Sequence, residues 1–213
     1  MVVVLFVLGR PGSGKSTAVQ HCIKVAHQHG WQTVRIKDYE ILYDLFCQDT
    51  AQQRFRPAPF GAFDVIDFTV LDEVLRSLQD QVRQHLYSQA KKLVIVEFAR
   101  DEYQKALATF DESILSLSYF LLVEARIDAC IHRIHTRIQH QVRQDNHYVS
   151  AEILRAYYCR DNRRYFLEDL AAQHNIEQHK ISIIENNSSY STFINLVDQF
   201  IAFVLLKTPV QTV

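Results

Sequence analysis

Residues 9–16, with the sequence GRPGSGKS, have the types and spacing needed to bind a polyphosphate, since they fit G-x-x-x-x-G-K-[S/T] throughout. The glycines allow the backbone to turn inward and direct its N–H groups at phosphate oxygens. Lys15 is suited to bridging the β- and γ-phosphates, and the hydroxyl of Ser16 to ligating magnesium. The segment predicts a site for a nucleoside triphosphate with Mg²⁺. ATP is expected, because no Asn-Lys-x-Asp run that reads guanine is present in the sequence.

The neighbouring sequence supports this prediction. An apolar run at residues 2–8 precedes the loop and is typical of a buried strand, while residues 15–29 follow with a helical pattern. The positive end of that helix dipole would face the same anion. The residues expected to contact the nucleotide are Gly9, Pro11, Gly12, Ser13, Gly14, Lys15, Ser16 and Thr17.

A carboxylate at the end of another apolar run is the second candidate. Glu97 ends the apolar run 93–96, and a strand-end acid beside a phosphate loop could hold Mg²⁺ together with Ser16 or accept a proton from an attacking hydroxyl. Glu124 ends a later apolar run in the same way and competes for the role. A strand-end carboxylate that only faces water is the remaining alternative.

Arginines form the third set. Arg100 lies just beyond Glu97, and further arginines line two predicted helices joined by a polar stretch at residues 144–148. We expect residues 126–164 to form a lid that brings guanidinium groups onto the transferring phosphoryl group and excludes water. A solvated basic helix surface is the alternative. The arginines with a predicted catalytic role are Arg100, Arg126, Arg133 and Arg137.

A second ligand is predicted beside the loop, within residues 38–90. Ligands of open α/β sheets bind at the carboxyl ends of the strands, where the second predicted strand ends, and a Pro-rich segment with further charges follows. A surface loop with a hydrophobic anchor is the alternative. The candidate acceptor-binding residues, including those from the predicted lid, are Arg35, Asp38, Arg54, Arg56, Asp64, Arg100, Arg160 and Arg164.

Strands and helices alternate along the whole chain. Apolar runs predict strands over residues 2–8, 31–37, 92–98, 117–124 and 180–184, and helical patterns lie between and after them. The predicted helices cover 15–29, 38–47 with Asp38 as cap, 67–90, 101–110, 127–143, 150–174 and 189–206, and residues 50–66 read as a loop. Such alternation requires parallel pairing with right-handed crossovers. The sequence predicts one three-layer α/β/α domain over residues 1–213.

Composition excludes several classes. The net charge of −1 gives no positive field for nucleic acid, and no apolar run approaches the roughly 20 residues that span a bilayer. The apolar N-terminus lacks a basic flank and is read as a strand rather than a signal peptide. Four scattered cysteines argue against a zinc site or a disulfide framework. We expect a cytoplasmic protein without nucleic-acid or membrane partners, as either a monomer or a homodimer.

The phosphate loop resembles that of the adenylate kinase-like branch of P-loop kinases, in which a proline occupies the position of Pro11. Residues 96–100, VEFAR, resemble the element of nucleoside monophosphate kinases in which a strand-end acid precedes an arginine that grips the acceptor phosphate. The resemblance implies sheet order 2-3-1-4-5, an acceptor phosphate on Arg100 and a lid at 126–164. In the family's Asp-Gly-Phe-Pro-Arg run, only the acid and the arginine have counterparts here.

The sequence-based hypothesis is therefore an ATP-dependent kinase. It would move the γ-phosphate of Mg-ATP to a small nucleotide- or nucleoside-like acceptor, mainly through positioning and charge stabilisation. Two alternatives remain open. One is a nucleotide-binding switch or ATPase module without small-molecule kinase activity, and the other is a degenerate kinase that binds ATP without turnover.

Overall fold

The computed structural model describes residues 1–139 and 148–207. Its strands are β1 (Val2–Leu8), β2 (Gln32–Lys37), β3 (Phe55–Pro57), β4 (Phe63–Val65), β5 (Lys92–Phe98), β6 (Tyr119–Glu124) and β7 (Ile181–Glu185). Five of them form a parallel sheet in the order β2-β5-β1-β6-β7, and β3 pairs with β4 in a separate antiparallel hairpin. Counted within the main sheet alone, this order is the predicted 2-3-1-4-5.

Nine helices are described, most of them packed against this sheet. They are α1 (Lys15–Gln28), α2 (Asp38–Gln48), α3 (Thr69–Leu86), α4 (Tyr103–Leu107), α5 (Glu112–Leu115), α6 (Ile127–Gln139), α7 (Ala151–Ala156), α8 (Leu170–Gln173) and α9 (Tyr190–Lys207). Short 3₁₀ turns at Pro59–Gly61 and Gln178–Lys180 and a π-helical turn at Tyr165–Asp169 complete the described elements. None of the helices in these two ranges is long and apolar enough to cross a membrane.

The sheet is buried on both faces, as its continuous apolar strands predict. In β1, Phe6 and Leu8 face a core shared with α3 and α4, whereas Leu5 and Val7 face a core shared with α1 and α9. Successive side chains of a strand point to opposite faces, so one strand supports both cores. The three-layer α/β/α prediction is confirmed. The carboxyl ends of the parallel strands share one edge, and the phosphate loop leaves β1 at that edge.

Several predicted boundaries are wrong. The segment 50–66 is not simply a loop, because it contains the β3–β4 hairpin, and the short helix α5 was not predicted. The helix predicted from 67 to 90 ends at Leu86. Asp38 does not cap α2: Lys37 holds the N-cap position, and the Asp38 carboxylate instead accepts hydrogen bonds from the N–H of Ala99 and from Arg100.

The helix predicted over residues 150–174 is interrupted. Its start is confirmed, since the hydroxyl of Ser150 accepts a hydrogen bond from the N–H of Ile153, but α7 ends at Ala156. Beyond it, the carbonyls of Tyr158 and Arg160 accept hydrogen bonds from the Arg10 side chain at 2.6 and 2.7 Å. These contacts hold the segment against the phosphate loop in a non-helical course. Residues 140–147 lie outside the described residues, and they include the end of the helix predicted to reach residue 143 and most of the polar break predicted at 144–148.

Candidate functional site

The phosphate loop connects β1 to α1 and depends on glycine at points of close backbone approach. A Cβ atom on Gly9 would lie 2.2 Å from the carbonyl oxygen of Val123, and one on Gly12 would lie 2.7 Å from that of Cys130. Both residues have positive φ, at 143° and 78°. The N-cap of α1 is Gly14, which has no side chain, so the first-turn N–H groups of α1 can face an anion. The geometry matches the predicted anion-binding turn.

Residues distant in sequence hold this loop from outside. The hydroxyl of Tyr103 accepts a hydrogen bond from the N–H of Gly9 at 2.6 Å and lies 3.3 Å from the carbonyl oxygen of Phe98, to which it can donate. The side-chain amide of Asn186 donates to the carbonyl of Ser13 at 2.8 Å. Sequence reasoning missed Tyr103 and Asn186, since nothing in their local patterns marks a contact made 94 or 173 residues away.

Lys15 is buried at the start of α1. Its ammonium is 3.0 Å from the carbonyl oxygen of Arg10, to which it donates a hydrogen bond. Burial lowers the pKa of Lys15, while the negative charges of Glu97 and Asp38 oppose that shift. A bound polyphosphate would supply further negative charge to this buried ammonium. The contact of Lys15 with the phosphates stays a prediction.

Glu97 lies directly against the loop. The hydroxyl of Ser16 donates to its Oε1 at 2.8 Å, and Arg35 donates from Nε and Nη2 to its Oε2 at 3.0 and 2.6 Å. The competing acid, Glu124, instead pairs with Arg163 at 2.7 Å. A hydroxyl and a carboxylate oxygen side by side suit Mg²⁺, which takes one or two protein oxygens together with substrate phosphates and water. No cluster of three or more His, Cys, Asp or Glu residues arranged for a metal occurs within the described ranges.

A cavity of about 480 Å³ begins at the loop and extends away from it. At the loop end it is lined by Gly12, Lys15, Ser16 and Glu97, and Arg137 of α6 also contributes. The remainder lies between α2, the hairpin, the start of α3 and α7. Aromatic rings dominate that part, namely Tyr39, Phe63, Phe68, Tyr148, Tyr157 and Tyr158.

The arginines predicted to act in catalysis lie in different environments in the structure. Arg137 lines the cavity, and its charge acts on Lys15. Arg133 contacts the loop from behind, donating to the carbonyls of Gly12, Ser13 and Asn186 at 3.5, 3.3 and 2.7 Å. Arg126 has an exposed side chain on the segment before α6.

Arg100 is not among the described residues that line the cavity. It is 5% exposed, and its guanidinium donates to Asp38 at 2.8 Å and to the carbonyls of Ala99 and Leu71 at 2.6 and 3.1 Å. These bonds tie the end of β5 to α2 and α3. The geometry thus gives Arg100 a structural position beneath the cavity wall, in contrast to the acceptor contact that the family resemblance implied.

The predicted acceptor residues divide in the same way. Asp38, Arg56 and Asp64 line the cavity, and Arg56 pairs with Asp64 at 3.2 Å across the hairpin. Arg35 is bonded to Glu97, as described above. The others form ion pairs outside the cavity lining: Arg54 with Glu73, Arg160 with Asp101 and Glu102, and Arg164 with Glu168. Of the predicted nucleotide contacts, Pro11 also lines the cavity, Thr17 is half-buried, and Ser13 is buried with a hydroxyl that has no described partner.

The sequence over residues 2–144 matches the family model nSTAND3, described as Novel STAND NTPase 3, which is more than half of the 213-residue chain. The chain belongs to the nSTAND3 family. Membership in this family of P-loop NTPases agrees with the loop, the buried lysine and the strand order described above. No curated protein matches the sequence significantly.

Solved structures with the same fold include two kinases. A gluconokinase from Sinorhizobium meliloti 1021 aligns with a TM-score of 0.57 at 13% identity, covering 95% of this nSTAND3 chain and 93% of the gluconokinase. The APS kinase CysC of Mycobacterium tuberculosis, solved with AMPPNP and APS, aligns with a TM-score of 0.55 at 11% identity, covering 94% and 97% of the two chains. The structure of APE1195 aligns with a TM-score of 0.50 at 14% identity, covering 95% of this chain and 94% of APE1195. These likenesses show a shared fold.

Proposed function

We propose that this protein is an ATP-dependent phosphotransferase, in which Mg-ATP occupies the phosphate loop and a small hydroxyl-bearing acceptor occupies the rest of the cavity. One observation carries the proposal. A single cavity joins Lys15, Ser16 and Glu97 to an aromatic compartment that the nucleotide phosphates would not fill. A protein that only hydrolyses or senses ATP needs room for a water molecule beside the γ-phosphate, whereas this compartment has room for a second ligand.

The nucleotide end needs only positioning and charge. Backbone N–H groups of residues 12–16 would cradle the phosphates, and Lys15 and Arg137 would balance charge on the transferring group. Mg²⁺, when bound by Ser16 with Glu97, would neutralise the β- and γ-phosphate oxygens. Because Oε1 of Glu97 lies beside the Ser16 hydroxyl and Oε2 is held by Arg35, we assign this carboxylate to the metal, directly or through water, rather than to proton transfer.

The acceptor end offers a different carboxylate. Asp38 follows β2 and lines the cavity, and bonds from the Ala99 N–H and from Arg100 fix its orientation. Its charge also acts on Lys15, which supports a role at the boundary between the two proposed ligands. We assign Asp38 the role of orienting the acceptor hydroxyl and receiving its proton.

Family membership favours a second candidate. The matching model describes an NTPase and covers residues 2–144, which include the loop and Glu97. In that case water would be the only phosphoryl acceptor, and nucleotide state would signal to a partner. Both candidates require ATP binding at Lys15, so they differ only in where the γ-phosphate goes.

Tracing the γ-phosphate separates them. Mg-ATP labelled at the γ-position is incubated with panels of nucleosides, nucleoside monophosphates, sugars and aromatic alcohols, and the labelled products are identified. The proposal expects a labelled phosphate monoester from at least one acceptor. Lys15→Ala should abolish it, whereas Lys24→Ala, an exposed lysine of the same helix, should not change it. Labelled inorganic phosphate as the sole product with every acceptor would favour the NTPase candidate.

A further inference from the structure

Stacked aromatic rings form the walls of the acceptor compartment. Tyr39 and Phe63 have ring centroids 5.5 Å apart at an interplanar angle of 22°, and Phe68 and Tyr157 are 5.1 Å apart at the same angle. The four rings come from α2, β4, the start of α3 and the segment after α7, and all line the cavity. Flat apolar faces of this kind favour a planar ring as ligand. Phe68 is 52% exposed, so it has surface that a ligand could cover.

Charged side chains of the compartment form ion pairs. Arg56 pairs with Asp64 at 3.2 Å, and Asp38 pairs with the buried Arg100 at 2.8 Å. At its edge Lys37 pairs with Glu40 at 2.9 Å. An acceptor phosphate would meet a carboxylate beside each of these cations, and separating the buried Arg100 from Asp38 would leave a buried charge without compensation. The arginine expected to hold an acceptor phosphate, Arg100, is the most deeply buried of these groups.

These observations deepen the proposed function, on which this inference rests. We infer that the acceptor is an uncharged, ring-bearing alcohol of nucleoside size, that is, a nucleoside rather than a nucleoside monophosphate. The whole cavity, including its phosphate-loop end, measures about 480 Å³, within the range of roughly 300–1,000 Å³ that is usual for small-molecule sites. The ring of the acceptor packs on the exposed face of Phe68, which is itself stacked on Tyr157, and its hydroxyl lies near Asp38.

The transfer step balances without another reactant. The hydroxyl oxygen of the acceptor bonds to the γ-phosphorus, and the bond between that phosphorus and the β,γ-bridging oxygen breaks. ADP departs with the electron pair, and the hydroxyl proton passes to Asp38 and then to solvent. The products are ADP and a phosphate monoester of the acceptor.

Binding to the full chain tests the inference separately from catalysis. With Mg-ADP filling the phosphate loop, calorimetry compares the four common ribonucleosides, their 5′-monophosphates and sorbitol, a polyol without a ring. We expect at least one nucleoside to bind ten-fold or more tightly than its monophosphate and than sorbitol. Equal or tighter binding of the monophosphates or of sorbitol, or no binding of any nucleoside, would overturn the inference.

The two proposals fail in different ways. Phosphotransfer to monophosphates or polyols would support the kinase and overturn the nucleoside inference. Nucleoside binding combined with hydrolysis alone would support the predicted ligand class and overturn the kinase.

Ring removal supplies the structural control. Phe68→Leu should weaken nucleoside binding about 5- to 100-fold, the range expected from losing one stacked base contact. Tyr87→Leu removes a ring that is 91% exposed and lies outside the cavity lining, and it should leave binding unchanged. Because Phe68 is half-exposed and leucine keeps an apolar side chain there, its replacement should leave the fold intact. Equal nucleoside affinity in Phe68→Leu and wild type would contradict the stacking geometry.

Discussion

The hydroxyl of Ser16 donates a hydrogen bond of 2.8 Å to Glu97, although 81 residues separate the two in the chain. Strand pairing brings them together: β1 and β5 are adjacent and parallel, with Val7 in register with Glu97. The loop that follows β1 then returns Ser16 to the end of β5. Two oxygen donors of the kind that Mg²⁺ requires are thus placed at one sheet edge by the topology.

Replacing Glu97 should therefore alter the response to metal. Glu97→Gln keeps the shape of the side chain but removes its charge, so we expect the Mg²⁺ concentration for half-maximal nucleotide turnover to rise about ten-fold or more. Glu124→Gln is the matched control, because Glu124 ends β6 but pairs with Arg163. A chelator should stop turnover in both variants. An unchanged Mg²⁺ requirement in Glu97→Gln would remove this residue from the metal site.

The buried ammonium of Lys15 predicts a pH dependence of stability. Burial lowers its pKa below the ordinary value of 10.5, so the folded chain binds this proton less tightly than the unfolded chain does. The resulting penalty is greatest below the folded pKa and disappears as the pH rises towards 10.5. We expect Lys15→Met to have a higher free energy of unfolding than wild type near neutral pH.

Urea denaturation of nucleotide-free protein at several pH values measures this difference. The difference in the free energy of unfolding between Lys15→Met and wild type should shrink as the pH is raised from neutral towards 10.5. Lys24→Met, on the exposed side of α1, should show no such trend. A constant difference between Lys15→Met and wild type across that range would mean that burial does not perturb this lysine.

Two glycines with similar φ angles allow the cost of backbone strain to be distinguished from the cost of a steric clash. Gly12 and Gly30 have φ of 78° and 74°, but only Gly12 has a backbone atom where its Cβ would lie, the carbonyl oxygen of Cys130 at 2.7 Å. Gly30→Ala should cost about 1–2 kcal/mol through its φ alone. Gly12→Ala should cost more and also weaken ATP binding, since the loop must shift away from α6. Thermal unfolding measures the loss of stability, and nucleotide titration measures the loss of ATP affinity. If Gly12→Ala and Gly30→Ala lost equal stability and equal ATP affinity, the close approach of Gly12 to Cys130 would be contradicted.

Arg100 is expected to act on stability. Arg100→Ala leaves the Asp38 carboxylate without its partner in a largely buried position, and we expect a loss of about 3–5 kcal/mol in the free energy of unfolding. Arg164→Ala removes an exposed, solvent-screened pair with Glu168 and should change the free energy of unfolding far less. Chemical denaturation gives both numbers. A small loss for Arg100→Ala together with impaired acceptor use would restore the role implied by the family resemblance.

The phosphate loop and the parallel sheet could be predicted from local patterns, whereas the strand order was implied by the family resemblance. A loop motif specifies its own backbone shape through glycine, and apolar runs of strand length specify burial on both faces. The position of Glu97 at the end of a buried strand could be predicted in the same way, because a strand's carboxyl end is visible as the end of its apolar run. The roles of Lys15, Ser16 and Glu97 in binding nucleotide and metal stay predictions.

The contacts of the charged residues could not be predicted from local sequence patterns. A run of arginines gives the same pattern whether each one contacts a ligand, a backbone carbonyl or a neighbouring acid, and the burial and pairing of Arg100, Arg133 and Arg160 depend on chain segments far away in sequence. The aromatic compartment has the same origin, since Tyr39, Phe63 and the rings beyond them come from separate elements. Local sequence determined the backbone shape and strand burial at the nucleotide end, because these depend on residues adjacent in the chain. Only tertiary packing decided which charges remain beside the cavity and which are neutralised within the protein.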